Sequence, residues 1–245
     1  MDQTLKGTAL DDILTGDSGN DLITGLGGND RLDGQGGDDQ IDLGEGSDVG
    51  FGGDGSDTII GGLGTDTLFG GLGSDSLDGG ADADSLSGGL GSDSLDGGAD
   101  ADSLSGGDGN DSLDGGDGAD SLSGDAGDDV ISGGLGDDTI SDSSGTNSIF
   151  GGDGADRLVT VRGSLIDGGA DNDTIRYDVN IGADATVLGG DGDDRLYYGS
   201  SYFASSYSIT LDGGSGNDYI SGIRRLTGTA ELHLIGGLGD DNLRG

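Results

Sequence analysis

The sequence contains no cysteine, proline or tryptophan, and only 4% of its 245 residues are aromatic. Without cysteine there is no disulfide bond and no zinc or iron–sulfur site with thiolate ligands. The few large side chains and the 60 glycines argue against a conventional globular core. No stretch approaches the roughly 18 consecutive apolar residues of a membrane-spanning helix, and the N-terminus has no hydrophobic signal segment. We therefore expect no transmembrane segment and no Sec-type export.

Basic residues are also scarce, because nine Lys and Arg stand against 49 Asp and Glu, for a net charge of −40. This charge excludes a nucleic-acid-binding protein and attraction to an anionic membrane, and it predicts a cationic partner. Low hydrophobicity with high net charge is otherwise typical of disordered chains. However, only Glu45 and Glu231 are glutamates. Aspartate places its carboxylate near the backbone and tolerates turn conformations, so the composition favours ligand-binding turns over a disordered tail.

A nine-residue repeat organises most of the chain. From residue 7 to residue 159 the sequence divides into 17 nonapeptides without an insertion. The eighth position is Leu or Ile in all but one repeat, which has Gly50, and the sixth is Asp in all but one, which has Asn147. The sixth-position aspartates are Asp12, Asp21, Asp30, Asp39, Asp48, Asp57, Asp66, Asp75, Asp84, Asp93, Asp102, Asp111, Asp120, Asp129, Asp138 and Asp156. We expect this register to define the fold.

The repeat predicts a solenoid. Each nonapeptide is consistent with a six-residue turn and a three-residue strand, so two nonapeptides make one coil of parallel strands about 4.8 Å apart. Residues 70–87 recur letter for letter at 88–105, which supports an 18-residue coil. We therefore predict an all-β, right-handed parallel β-roll or β-helix, regular over residues 1–159 and continuing through 160–245 in larger coils.

The turns require a bound cation in this interpretation. Two aliphatic side chains per coil bury too little apolar surface to offset the entropy lost by ordering 18 residues, and stacked carboxylates repel each other. Calcium accepts six to eight carboxylate and carbonyl oxygens in a flexible shell, whereas magnesium demands stricter octahedral geometry. Zinc, copper and iron favour His or Cys, of which the chain has one and none. The sequence thus predicts multiple Ca²⁺ ions.

Residues 52–60, GGDGSDTII, match G-G-x-G-x-D-x-U-x at every fixed position and resemble the RTX, or hemolysin-type, calcium-binding repeat. The resemblance covers nearly the whole chain. It implies a parallel β-roll in which Ca²⁺ lies between neighbouring turns on the same side, held by the sixth-position aspartates and turn carbonyls. Departures from the pattern weaken individual sites, and we expect altered or empty sites at Leu43, Asp82, Asp100, Asp142 and Asn147.

Beyond residue 159 the nonapeptide recurs singly, at 168–176, 189–197, 213–221 and 236–244. These repeats carry Asp173, Asp194, Asp218 and Asp241, which we also assign as calcium ligands. Alternation of turns then predicts 13 turns on one edge and eight on the other, with at most 12 and seven sites between them. The spacers 177–188, 198–212 and 222–235 replace calcium turns on the second edge. Nineteen divalent ions would nearly cancel the charge of −40.

Catalytic motifs are lacking in the sequence. His233 is the single histidine and alternates with two leucines, so we expect it to face solvent; there is no H-E-x-x-H motif, and Lys6, the single lysine, excludes a G-K-[ST] phosphate loop. Metal-bound carboxylates make poor general acids. We predict a protein that is not an enzyme, with no catalytic residues.

Tyrosine and arginine are concentrated near the C-terminus. The residues are Tyr177, Tyr197, Tyr198, Tyr202, Tyr207 and Tyr219, and Arg157, Arg162, Arg176, Arg195, Arg224, Arg225 and Arg244. One interpretation is that they fill wider coils and that arginine replaces missing calcium. The other is that they form a surface for a polysaccharide or protein partner, as in the accessory modules of RTX-type alginate epimerases.

The expected function is a calcium-binding repeat region that folds on binding Ca²⁺ and serves as a structural and secretion-assisting module. The RTX resemblance implies a bacterial protein secreted through a type I exporter to the extracellular space or cell surface. Alternatives are an accessory or polysaccharide-binding module of an extracellular epimerase, lipase or protease, or a surface-layer or adhesin scaffold. The chain ends directly after a turn with no closing strand, so we expect a fragment of a longer chain. Otherwise we expect a monomer.

Overall fold

The computed structural model describes residues 1–160, 165–178, 184–199, 207–222 and 231–245. These residues form 26 β-strands and no helix, and therefore no helix that could cross a membrane. The chain divides into two compact units, residues 1–127 and 128–245. Each unit consists of two parallel sheets to which successive strands contribute alternately. The prediction of an all-β parallel solenoid is confirmed.

The first unit contains fourteen strands. Its odd-numbered sheet comprises β1 Thr4–Lys6, β3 Leu22–Gly27, β5 Gln40–Glu45, β7 Thr58–Leu63, β9 Ser76–Ala81, β11 Ser94–Ala99 and β13 Ser112–Asp117. Its even-numbered sheet comprises β2 Ile13–Thr15, β4 Arg31–Gly36, β6 Val49–Asp54, β8 Thr67–Leu72, β10 Ser85–Leu90, β12 Ser103–Asp108 and β14 Ser121–Ala126. Within this unit, neighbouring strands of each sheet are two places apart along the chain.

The second unit repeats this arrangement with twelve strands. One sheet comprises β15 Val130–Leu135, β17 Ser148–Asp153, β19 Leu165–Ala170, β21 Ala185–Asp191, β23 Ser208–Ser215 and β25 Glu231–Ile235. The other comprises β16 Thr139–Asp142, β18 Arg157–Thr160, β20 Thr174–Asp178, β22 Arg195–Gly199, β24 Tyr219–Gly222 and β26 Asn242–Arg244. Parts of the predicted spacers lie outside the described residues.

Strand pairing follows the sequence repeat. Leu86 lies opposite Leu104 and Ser85 lies opposite Ser103, so the offset between paired strands is 18 residues. Because parallel neighbours with this offset place identical repeat positions side by side, each position forms a column across the regular coils of the first unit. The expected coil of two nonapeptides is present.

The strands are longer than the sequence predicts. Most contain six residues, as in Thr67–Leu72, rather than three. The strand continues through the first three positions of the next repeat, where Gly71 pairs with Gly53 and Leu72 with Asp54. The predicted six-residue turn was therefore wrong in extent, since glycine-rich positions one to three still form ladder hydrogen bonds and only positions four to six turn.

The core is a column of eighth-position side chains. Ile59 and Leu68 have no exposed surface, and Leu104 is 2% exposed. The seventh and ninth positions point outward, because side chains alternate along a strand. In the second unit the core also takes in Tyr177 and Tyr198, which are buried with ring centroids 6.2 Å apart. Tyrosine thus fills the larger coils, as one of the two interpretations predicts.

Candidate metal sites

The sixth-position aspartates form two ladders, one along each edge. In each ladder the backbone N–H of one aspartate donates to Oδ1 of the aspartate in the next coil, as from Asp57 to Asp75 over 2.8 Å. The first ladder runs Asp12, Asp30, Asp48, Asp66, Asp84, Asp102 and Asp120 in the first unit, and Asp138, Asp156, Asp173, Asp194, Asp218 and Asp241 in the second. The second runs Asp21, Asp39, Asp57, Asp75, Asp93 and Asp111 in the first unit, and Asp129 and Asn147 in the second. The structure thus places every aspartate assigned from sequence on a turn edge.

The second carboxylate oxygen of most ladder aspartates is buried and accepts no hydrogen bond. This applies to Oδ2 of Asp30, Asp39, Asp48, Asp57, Asp66, Asp75, Asp84, Asp93, Asp102, Asp156, Asp173, Asp194 and Asp218. A buried carboxylate oxygen without a donor is costly, because nothing replaces the water that it loses. A row of such oxygens is an arrangement suited to binding a cation at each of these turns.

The space beside each orphaned oxygen is made by the first-position glycine, except at Asp48, whose repeat begins with Leu43. A Cβ built on Gly52 would collide with Oδ2 of Asp57 and lie 2.6 Å from the carbonyl oxygen of Gly70 in the next coil. Glycine is therefore required there, since any side chain would fill the space between the two oxygens. A carboxylate oxygen and a main-chain carbonyl facing one gap are the hard oxygen donors that Ca²⁺ prefers, so these residues fit the ion.

Three of the sequence departures preserve the turn. Asp82 and Asp100 replace the fourth glycine and also have positive φ, 73° each against 134° for Gly73 and 136° for Gly91, and aspartate tolerates this region better than most residues. Leu43 replaces a first glycine, yet its carbonyl oxygen and Asp30 Oδ2 both border the position that a Gly25 Cβ would take. The repeat that begins with Leu43 therefore keeps the carbonyl oxygen that faces the Asp30 carboxylate.

Carboxylates alone do not make the sites. Among the described residues, no three Asp, Glu or His side chains come together as a metal-binding cluster. A cation between coils must therefore take much of its coordination from main-chain carbonyls. The glycines of the repeat supply these carbonyls with no side chain in the way.

Burial perturbs the titration of the ladder. Loss of hydration raises the pKa of Asp57, Asp66 and Asp75 to about 6, and neighbouring aspartates on the same ladder add to the shift. The same cause raises the pKa of Asp84 to about 7 and that of Asp173 to about 8. A bound divalent cation would oppose these shifts, because it favours the charged carboxylate.

Fifth-position side chains form an additional set of hydrogen bonds between coils, the fifth-position ladder, which was not predicted from the sequence. Fifth-position oxygens accept the N–H of the fifth residue in the next coil, as from Ser92 to Ser74 Oγ over 3.2 Å and from Ser47 to Asn29 Oδ1 over 3.0 Å. The sixth-position bonds run in the opposite direction along the chain. The enrichment of Asn, Ser and Asp at position five is the signal that could have revealed this ladder.

Four arginines of the second unit occupy one sheet face, at outward positions of β18, β20, β22 and β26: Arg157, Arg176, Arg195 and Arg244. They project from strands, so for these four the structure gives no support to arginine as a replacement for calcium in the turns. The remaining assigned arginines, Arg162, Arg224 and Arg225, lie outside the described residues, as does Tyr202.

This arginine face includes a groove. A depression of about 370 Å³ is lined by residues that include Arg157, Arg176 and Tyr197. Tyr197 is 38% exposed and lies 5.8 Å from Tyr219, centroid to centroid, in a tilted arrangement. The guanidinium of Arg244 lies 5.3 Å from the Tyr219 ring centre. The groove therefore combines two arginines with one exposed ring, Tyr197, and with Asp178, whose carboxylate pairs with Arg176.

His233 lies on the other sheet of this unit. Its side chain is about half exposed and Nε2 lies 3.4 Å from Glu231 Oε2. The expectation that it faces solvent agrees with this position.

Comparison with known proteins places the chain in a family. The model of the RTX calcium-binding nonapeptide repeat matches residues 6–41, 42–77, 70–104, 78–113, 105–140, 132–164, 165–178, 186–201 and 210–222. The chain belongs to this family and is a calcium-binding repeat module. A search of curated proteins found no match.

Among solved structures, the chain is similar to a hyperactive, Ca²⁺-dependent, β-helical antifreeze protein from an Antarctic bacterium. The TM-score is 0.64 at 23% identity, over 98% of this chain and 82% of the other. At that identity the likeness concerns the β-helical fold.

Proposed function

We propose that this chain is a non-catalytic module that folds when Ca²⁺ occupies its turns. The observation that carries the proposal is the row of buried ladder carboxylates whose Oδ2 atoms have no hydrogen-bond donor. Without a cation, these groups must be buried either as unpaired charges or as protonated acids, and both are costly near neutral pH. Calcium binding removes this penalty at the turns with an unpaired Oδ2, so binding free energy becomes folding free energy.

The proposal gives the module a role in export from a bacterial cell. At the low calcium concentration of the cytosol the chain stays unfolded, as a threaded export substrate must be. Outside the cell, calcium at about millimolar concentration saturates sites of extracellular affinity and drives folding. RTX family membership supports secretion by a type I route and an extracellular or cell-surface location. The same module would be compatible with export of an epimerase, a lipase, a protease or a surface scaffold as part of the same chain.

Circular dichroism during a calcium titration tests this proposal. The metal-free chain should give a coil spectrum, calcium should produce a cooperative change to strand, and magnesium at equal concentration should have little effect. A chain that keeps its strand spectrum in excess chelator would contradict calcium-dependent folding.

A second function rests on the arginine face of the second unit. In a chain of charge −40, four arginines with the exposed Tyr197 on one sheet favour an anionic, carbohydrate-like partner. Guanidinium groups bind carboxylates in pairs of hydrogen bonds, and aromatic rings pack against sugar rings. We propose that this face takes a carboxylate-bearing polysaccharide.

Affinity electrophoresis in calcium through a polyuronate gel, with a neutral glucan gel as control, measures this binding. Arg157→Ala should weaken retention about tenfold, the loss expected for one charge-assisted contact. Arg31→Ala, which changes the charge equally in the first unit, should have little effect. Equal retention of both variants would exclude this face as the binding site.

A further inference from the structure

Three turns at the ends of the ladders differ from all other turns in backbone conformation. Counting both edges, the second residue of the repeat has positive φ in every turn of the described chain except those beginning at residues 7, 16 and 142. The exceptional second residues are Thr8, Asp17 and Ser143. These turns are the first turn of each ladder and the last turn of the second ladder. A different backbone conformation is therefore confined to ladder ends.

In the first turns this conformation directs an N–H into the carboxylate. Thr8 donates its backbone N–H to Asp12 Oδ2 over 2.6 Å, and its hydroxyl donates to the same oxygen over 2.9 Å. Asp17 donates its N–H to Asp21 Oδ2 over 2.8 Å. In Asp21 the other carboxylate oxygen is also satisfied, because it accepts the N–H of Gln3 over 2.6 Å.

Interior turns differ in the φ of the second residue and in the pairing of the aspartate Oδ2. In the turn of Asp57 the second residue is Gly53, with φ of 116°, and Asp57 Oδ2 accepts no hydrogen bond. In the turn of Asp39 the second residue is Gln35, with φ of 74°, and Oδ2 is again unpaired. Positive φ at this position thus accompanies the orphaned oxygen whether or not the residue is glycine.

In the last turn of the second ladder, the sixth-position side chain is satisfied by different hydrogen bonds. Its sixth residue is Asn147, whose amide Nδ2 donates to the carbonyl of Ser144 over 2.7 Å, while Oδ1 accepts the N–H of Asp129 over 2.9 Å. An amide nitrogen is a donor only, so it replaces the oxygen that a cation would bind. The carbonyl of this turn is satisfied by protein as well.

We infer that these three turns are hydrogen-bonded caps that hold no calcium through their sixth-position residues. Asp12 and Asp21, both assigned as calcium ligands from the sequence, act instead as acceptors for peptide N–H groups. The cation rows begin at Asp30 on the first ladder and Asp39 on the second, one site later than the sequence allows. Such caps give a repeat protein ends that need neither a further coil nor an ion. This inference rests on the proposed calcium function.

Matched isosteric substitutions test the caps. Calcium bound per folded chain is measured by equilibrium dialysis and metal analysis, with circular dichroism to verify folding. Asp57→Asn should lower the count by about one ion, whereas Asp21→Asn should leave it unchanged and only reduce stability. Equal losses from the two variants would overturn the inference.

A second variant keeps the test decisive if Asp21→Asn fails to fold. In Asp17→Gly the second residue is free to adopt positive φ, which withdraws its N–H from Asp21. The expected result is one additional ion per chain, and an unchanged count would contradict the cap. A wild-type chain that binds no calcium would instead refute the proposed function, so the two failures are distinguishable.

Discussion

Leu43 fills the space that Gly50 leaves in the core. The two residues belong to one coil and face each other from β5 and β6. A Cβ on Gly50 would lie 3.2 Å from Leu43 Cδ1 and 3.1 Å from Ile59 Cγ2, and Leu43 itself has no exposed surface. Each residue breaks the repeat at its own position, and together they exchange a core side chain between the two sheets.

Leu43→Ala should therefore destabilise the calcium-bound protein by about 3 kcal/mol, because neighbouring glycine cannot close the cavity. Gly50→Leu alone should also destabilise it through overpacking. The double variant Leu43→Gly with Gly50→Leu restores the repeat pattern and should recover most of the loss. Urea unfolding in saturating calcium measures all three, and a double variant less stable than either single variant would show that the two residues do not compensate.

Fifth-position oxygens should contribute measurable stability. Ser74→Ala removes the acceptor of the Ser92 N–H and should cost about 0.5–1 kcal/mol, the net value of one hydrogen bond. Conversely, Ala101→Ser adds an oxygen at the fifth position of the turn that carries Asp102, and it should raise stability slightly. Thermal unfolding in calcium compares the pair, and a destabilised Ala101→Ser protein would argue against a role for this position.

Acidification should have opposite effects with and without calcium. The raised pKa values, about 6 for Asp57 and about 8 for Asp173, mean that the folded chain binds more protons than the unfolded chain between about pH 4 and 8. In chelator, stability should therefore fall as pH rises through this range, so strand content should be greater at pH 5 than at pH 8. In calcium, protons compete with the ion and acidification should weaken binding. Circular dichroism at both pH values, with and without chelator, checks the sign; more structure at pH 8 in chelator would contradict it.

Neighbouring tyrosines on β22 should behave differently. Tyr198 is buried against Tyr177, whereas Tyr197 is 38% exposed on the opposite face of the strand. Tyr198→Ala should cost about 3–5 kcal/mol, as for other buried aromatic truncations. Tyr197→Ala should cost much less and serves as the matched control. Urea unfolding of both proteins in calcium provides the comparison; similar losses would mean that Tyr198 does not support the core.

The sequence determines much of the fold because one residue type recurs at one spacing. The column of Ile and Leu at position eight and the aspartates at position six predict the coil, the two edges and their ladders. The predicted strands were too short because glycine was assigned to turns by its propensity, whereas in this solenoid Gly71 pairs along a ladder. Tertiary pairing overrides local preference there.

Other features were not predictable from single positions. The caps at Asp12 and Asp21 depend on the φ value of the second residue, and Gln35 and Asp17 show that residue type does not determine it. Leu43 and Gly50 were each interpreted as a defect, since their proximity across the core becomes visible only in three dimensions. The fifth-position ladder was overlooked because its residues vary among Ser, Asn and Asp while providing the same oxygen.

Coils 70–87 and 88–105 are identical, so either could stack on the other's neighbours with the same hydrogen bonds and the same buried leucines. A chain built only of such coils would have no preferred alignment and could slip by 18 residues. The coil of Leu43 and Gly50 prevents this, because its paired substitution fits no other coil of the first unit. An irregular coil in an otherwise periodic chain thus selects one strand alignment from many of nearly equal energy.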